Sequence, residues 1–137
     1  MQQSTSTQQS DTSARIFVFG SNLAGRQGKG AALHARKHCG AINGKGVGRQ
    51  GNFYAIPTKD ANLQTLPLIT IDGYVGNFIA YAINNPDLRF EVTRVGCGPA
   101  GYTDQQIAPL FRNAPANCKM PDGWRKRFFD EDNQEEL

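Results

Sequence analysis

The chain has 137 residues, of which 39% are hydrophobic, and a formal net charge of +3; that length suits one domain with its own core and is too short for two. It contains neither a run of about 18 apolar residues nor a basic stretch leading into an apolar one, so it offers no membrane span and no secretory leader, and a cytoplasmic protein is expected. The three cysteines, Cys39, Cys97 and Cys118, are widely spaced, odd in number and never arranged as CxxC, which argues against a disulfide framework and suits a reducing compartment.

The charge is unevenly placed. Residues 15–127 hold all fifteen Lys and Arg against six Asp and Glu, close to +9, whereas residues 128–137 hold five acids and no base. Residues 1–14 (MQQSTSTQQSDTSA) lack Lys, Arg and any large apolar side chain beyond Met1. The expected organisation is a disordered arm over 1–14, a basic domain over 15–127 and an acidic tail over 128–137. The field of such a domain draws anions: nucleic acid, a nucleotide or a metabolite phosphate.

The first predicted strand is IFVF, residues 16–19, and it runs into a loop over 20–30 with four glycines, Ser21 and Asn22. Good helix formers follow over 31–39 and stop at Gly40. A glycine loop between strand and helix frees backbone N–H groups beside a helix N-terminus, which favours phosphate. Residues 41–52 are glycine-rich, carry Lys45 and Arg49, and read as a mobile loop. A second strand is expected over 53–56, ended by Pro57, with a polar connection to Gln64. Ile71, Val75, Phe78, Ile79 and Ala82 recur at helical spacing, predicting an amphipathic helix over 70–84, weakened by Gly73 and Gly76 and stopped by Asn84-Asn85-Pro86.

FEVTRV, residues 90–95, predicts a strand that delivers the chain into a second glycine loop, Gly96-Cys97-Gly98-Pro99-Ala100-Gly101-Tyr102. Thr103 followed by Gln106 has the pattern of a capping box, and Ile107, Leu110 and Phe111 supply a buried face. Pro109 predicts a kink or a break into two short turns. A short strand over 117–120, a turn at Pro121-Asp122-Gly123 and a docking Trp124 complete the domain. Alternating strands and helices argue for an α/β fold, a sheet covered by helices on both faces. Ligands in such sheets bind at the carboxyl ends of strands, where the two glycine loops meet if their strands are neighbours.

Neither loop is a P-loop, because Arg26-Gln27 stands where Lys-Ser/Thr is needed, and Leu33 takes the third glycine's place in a dinucleotide fingerprint. Together the loops resemble the macro domain, the ADP-ribose-binding family. Asn22 follows a strand and is succeeded six residues later by Gly28-Lys29-Gly30-Ala31-Ala32, with Lys29 in place of the middle glycine; Val95 to Tyr102 looks like that family's strand and phosphate loop. The resemblance implies a three-layer α/β/α domain with a mixed central sheet. It implies that Asn22, with Gly20 and Ser21 beside it, meets the distal ribose. Gly28, Lys29, Gly30 and Ala31 would line the ribose's other side, and Gly96, Cys97, Gly98, Pro99, Ala100 and Gly101 would wrap the diphosphate under Tyr102. Lys29 would add a cation for a further phosphate.

His34 and His38 sit four residues apart with Cys39 adjacent, a spacing that can hold zinc. Without further His or a cysteine pair, a polar helix face explains them better, and no metal or cofactor is expected. Cys97 reads either as a nucleophile or as a small side chain turned inward, and the second suits it better. Asn22 and Asp104 are the candidates for catalysis, Asp104 being the one carboxylate near either loop. That scarcity favours a nucleotide reader or sequestering protein of the kind a phage or mobile element would carry. A hydrolase of an ADP-ribosyl bond or ADP-ribose phosphate is the alternative. Nucleic-acid binding is a further one, drawn from the basic field and from Phe53, Tyr54, Tyr102, Phe128 and Phe129 near Arg125, Lys126 and Arg127.

Overall fold

The fold is that of a computed structural model, and the described residues are 15–25 and 45–129. Among them, five strands form one mixed sheet. In chain order these are β1 (Arg15–Asn22), β2 (Gly48–Gln50), β3 (Phe53–Lys59), β4 (Arg89–Val92) and β5 (Cys118–Lys119). The spatial order is β2-β3-β1-β4-β5, with β1 parallel to both β3 and β4, β4 parallel to β5, and β2 antiparallel to β3. The α/β class expected from the sequence is thus present.

Period-two alternation sorts the apolar runs between the faces. Ile16 and Val18 of β1 join Tyr54 and Ile56 of β3 and Phe90 and Val92 of β4 in the main core, while Phe19, Phe53 and Ala55 bury on the opposite face with Phe17 against them. Helix α1 (Leu68–Ile83) covers the main face with Ile71, Val75, Phe78, Ile79 and Ala82, the residues its periodicity singled out. Phe78 is the hub, with ring centroids 5.1 Å from Tyr54, 5.3 Å from Phe90 and 6.2 Å from Phe111. The helix expected over 31–39 lies outside the described residues, as do 1–14 and 130–137.

Two readings of the middle of the chain need correction. Within 41–52, residues 48–50 are a strand: Gln50 pairs with Phe53, and the two-residue turn between them begins with Gly51 at φ +57°, as a type II′ hairpin requires. Pro57 does not end β3, which continues to Lys59. Pairing with β2 extends only as far as Ala55, so the N–H that Pro57 lacks faces no partner strand, while its other side pairs with Ser21.

Strand β4 is shorter than FEVTRV: Thr93 N–H and Oγ1 both donate to the Val18 carbonyl, at 3.0 and 2.8 Å, and the chain then leaves the ladder as Val95 N–H turns back onto the Thr93 carbonyl. Thr103 forms the expected capping box on α2 (Asp104–Ile107), and Pro109 falls in a 3₁₀ turn, Ala108–Phe111, giving the two short turns anticipated. Helix α3 (Trp124–Phe128) ends the described chain. Trp124, 1% exposed, packs 5.9 Å from Phe111, and Phe129, also 1% exposed, carries the folded domain past the boundary at 127 suggested by charge.

Candidate functional site

The carboxyl ends of β1 and β4 lie side by side, so the first residues of the two glycine loops meet. A Cβ on Gly20 would stand 3.3 Å from both the methyl and the hydroxyl of Thr58 and 3.4 Å from the Gly96 nitrogen. Gly96 has φ +78°, and a Cβ there would press on Ile107 at 3.1 Å. A side chain at Gly20 would thus require Thr58 to give by a few tenths of an ångström, whereas Gly96 needs glycine for its backbone as well.

Beyond Gly96 the loop closes on itself. Gly101 N–H donates to the Gly98 carbonyl and Tyr102 N–H to the Gly96 carbonyl, each at 2.9 Å, with Gly101 at φ +91°. Cys97 N–H is spent on the Arg94 carbonyl at 3.1 Å. The N–H groups of Gly96, Gly98 and Ala100 have no acceptor among the described residues. Gly98 is exposed, lacks a positive φ and has open space around its missing Cβ. It is therefore not a residue that the turn itself requires.

The loop is held from behind by the connection between β3 and α1. Thr65 Oγ1 donates to the Ala100 carbonyl at 2.9 Å, and the Tyr102 hydroxyl donates to the Leu66 carbonyl at 2.7 Å. Tyr102 is thus half-buried against the core, with its hydroxyl committed. On β1, Ser21 is buried, its hydroxyl donates to the Gly46 carbonyl at 2.5 Å, and Thr58 Oγ1 donates to its carbonyl at 3.3 Å. Ser21 therefore ties the loop before β2 to the sheet. Asn22, half-buried, is opposite Lys59 at the end of β1, and its backbone carbonyl packs so closely on Gly46 that no Cβ fits there.

The electrostatics centre on Asp104. Its carboxylate accepts from Arg94 Nε at 2.8 Å, and this guanidinium holds its pKa below the ordinary carboxylate value. The Cys97 thiol and Trp124 indole stand close enough to favour the anion further. Burial, with Asp104 beside it, pushes the Cys97 thiol up to about 11. It stays protonated near neutrality, the state of an inward-facing small residue and not of a nucleophile. Asp104 is the acceptor at the centre of this cluster, and as a base it would have to give up its guanidinium partner.

Of the expected site residues, the structure sets Gly20 against Gly96 at the start of the loop that holds Cys97, Gly98, Pro99, Ala100, Gly101 and Tyr102, while Ser21 faces Gly46 and Thr58 and Asn22 lies opposite Lys59. Gly28, Lys29, Gly30 and Ala31 lie outside the described residues, as do His34, His38 and Cys39. Among the described residues, no three His, Cys, Asp or Glu side chains could share a metal ion, and no helix is long and apolar enough to cross a membrane. Phe53, Tyr54 and Phe129 are buried, and Arg125 and Arg127 lie over the Phe129 and Phe128 rings at 5.5 and 4.7 Å. These aromatic residues do not form a stacking platform. Arg94, Thr58 and Thr65 escaped the sequence reading because their partners lie ten to 37 positions away. Helix α2, at four residues, is too short for a substantial dipole, so the loop's attraction for anions rests on N–H groups and side-chain charge. No protein-family model matches the chain, and no curated protein or solved structure is detectably similar to it.

Proposed function

We propose that the chain is a macro domain-like α/β/α protein that binds an ADP-ribose-related nucleotide as a reader or sequestering protein. One observation carries the reading: Gly20 near the end of β1 and Gly96 just past β4 approach each other closely, a Cβ on Gly20 standing 3.4 Å from the Gly96 nitrogen, beside three backbone N–H groups without an acceptor among the described residues. Such a concentration of unpaired donors suits the oxygens of a diphosphate. In this reading Asn22 meets the distal ribose, the backbone of residues 28–31 lines its other side, and the loop from Gly96 to Gly101 wraps the diphosphate. Tyr102, pegged to Leu66, fixes that loop in advance. Sequestration is favoured over hydrolysis because Asp104 is engaged by Arg94 and the Cys97 thiol is not activated.

The test is a thermal-shift and calorimetric comparison of ADP-ribose, NAD, a cyclic nucleotide and a short oligonucleotide, with product analysis of each mixture. ADP-ribose at ~100 times its Kd should stabilise the protein by about 2.7 kcal/mol and be recovered intact. Binding of the oligonucleotide alone would overturn the reading. Conversion of an ADP-ribosyl substrate to products would replace sequestration with hydrolysis.

A further inference from the structure

The sheet face opposite α1 is closed over β1 and β3, where Phe19, Phe53 and Ala55 are buried, but open and charged over β4 and β5. Arg15 pairs in register with Arg89, Phe17 with Glu91 and Glu91 with Lys119, which sets Arg15, Arg89, Glu91 and Lys119 on the face of Phe17. The side chains of Arg15 and Lys119 are 50% and 65% exposed, and Arg89 is exposed as well. Among the described residues, Glu91 is the only carboxylate paired with these cations: Oε1 accepts from Arg15 Nη1 at 2.8 Å, and Oε2 stands 3.8 Å from Lys119 Nζ. Three cations on three adjacent strands thus share one carboxylate.

The described chain ends beside this strip. The Arg125 guanidinium lies 5.5 Å from the ring of Phe129, the last described residue, and its Nη2 donates to the Cys118 carbonyl of β5 at 2.9 Å. Beyond Phe129 the sequence runs Asp-Glu-Asp-Asn-Gln-Glu-Glu-Leu, with five acids and no base. We propose that this C-terminal segment, residues 130–137, is the occupant of the basic strip, laying its carboxylates against Lys119, Arg89 and Arg15. A segment of that length extends to about 26 Å, and β1 lies two strand spacings from β5, about 10 Å away, so the segment reaches every cation of the strip. Each exposed ion pair is weak alone. Tethering compensates, because a segment attached next to its site meets it at a high effective concentration. The strip lies at the amino ends of β1 and β4, so the docked segment screens the cations there and leaves the glycine loops, at the other end of the sheet, open to anionic ligands. The assignment is independent of what that ligand is.

The experiment joins lysines to neighbouring carboxylates with a zero-length carbodiimide in the full chain, maps the links by mass spectrometry, and repeats this on a variant carrying Asp130→Asn, Glu131→Gln, Asp132→Asn, Glu135→Gln and Glu136→Gln. At about 20 mM salt Lys119 should link to the acids of 130–136 within one chain, with a yield that is unchanged on dilution and falls several-fold at about 500 mM salt. The Lys119 to Glu91 link, present in both proteins, reports that Lys119 reacts. By NMR, the Arg15 and Arg89 Nε signals should shift between wild type and the variant at low salt and coincide at high salt. Tail links confined to Lys126 in α3, or to Lys59 at the carboxyl end of β3, overturn the assignment. So do Lys119 links found only in covalent dimers, which would place a second copy's tail on the strip, and so do Arg15 and Arg89 signals that the neutral tail leaves unmoved.

Discussion

Gly96 and Gly98 stand two positions apart and should answer the same substitution in different ways. Gly96→Val places a β-branched residue at φ +78° with its Cβ against Ile107, so it should destabilise the fold by roughly 1–3 kcal/mol. Gly98→Val meets open space and no positive φ. It should melt within a few degrees of wild type yet lose ADP-ribose binding, because the added methyls stand where oxygens must approach. Melting curves and calorimetry on both variants check this, and full affinity in a folded Gly98→Val would remove the second loop from the site. The cysteines make a statement about pH. Burial raises the thiols of Cys97 and Cys118 to about 11, from an unfolded value of 9.0. A raised acid binds its proton more tightly in the folded state, so its contribution to stability is complete below pH 9 and disappears as the pH rises through about 11. The urea midpoint should fall across that interval, and alkylation of Cys97 in the native protein should show a midpoint near 11.

Helix α1 carries two of its own weaknesses on the solvent side. Gly73 and Gly76 are exposed, and a Cβ at either touches nothing within 4 Å. Gly73→Ala and Gly76→Ala should each stabilise by about 0.5–1 kcal/mol, read as a rise in the urea midpoint with an unchanged slope. This helix was the most legible element in the sequence, because sixteen residues give a periodic apolar stripe time to repeat. The capping box at Thr103 and the docking of Trp124 were legible for a different reason: each depends on side chains only a few positions apart or on a single bulky apolar residue. Strand β2 was hidden, since Gly-Arg-Gln has no β-forming side chain and owes its conformation to the hairpin turn at Gly51 and to β3 beside it. Pro57 misled because a proline's effect depends on whether a neighbour needs its N–H, which the chain alone does not reveal.

At the scale of the molecule, the basic surplus over 15–127 distinguishes ligand classes by their response to salt. A nucleotide held mainly by backbone N–H groups should lose little affinity between about 50 and 200 mM salt, whereas a polynucleotide displacing many counterions should lose on the order of a thousandfold. Calorimetry at the two concentrations separates them. The pairing of the two glycine loops was foreseeable only on the condition that their strands be neighbours; the Arg94 and Asp104 pair, the Thr65 anchor and the contact of Gly20 with Thr58 arise from the sheet order and left no local pattern. That order has a further consequence for synthesis. Strand β1 comes early in the chain, yet its two partners, β3 and β4, follow it by tens of residues, with β4 ending at Val92. At about 5–20 residues per second, some 4–15 s separate the emergence of β1 from that of its last partner. Until β3 is made, Ile16, Phe17, Val18 and Phe19 have both edges unpaired, and one edge stays open until β4 follows, so the nascent chain is most exposed to aggregation, and most in need of a chaperone, before its second glycine loop has been made.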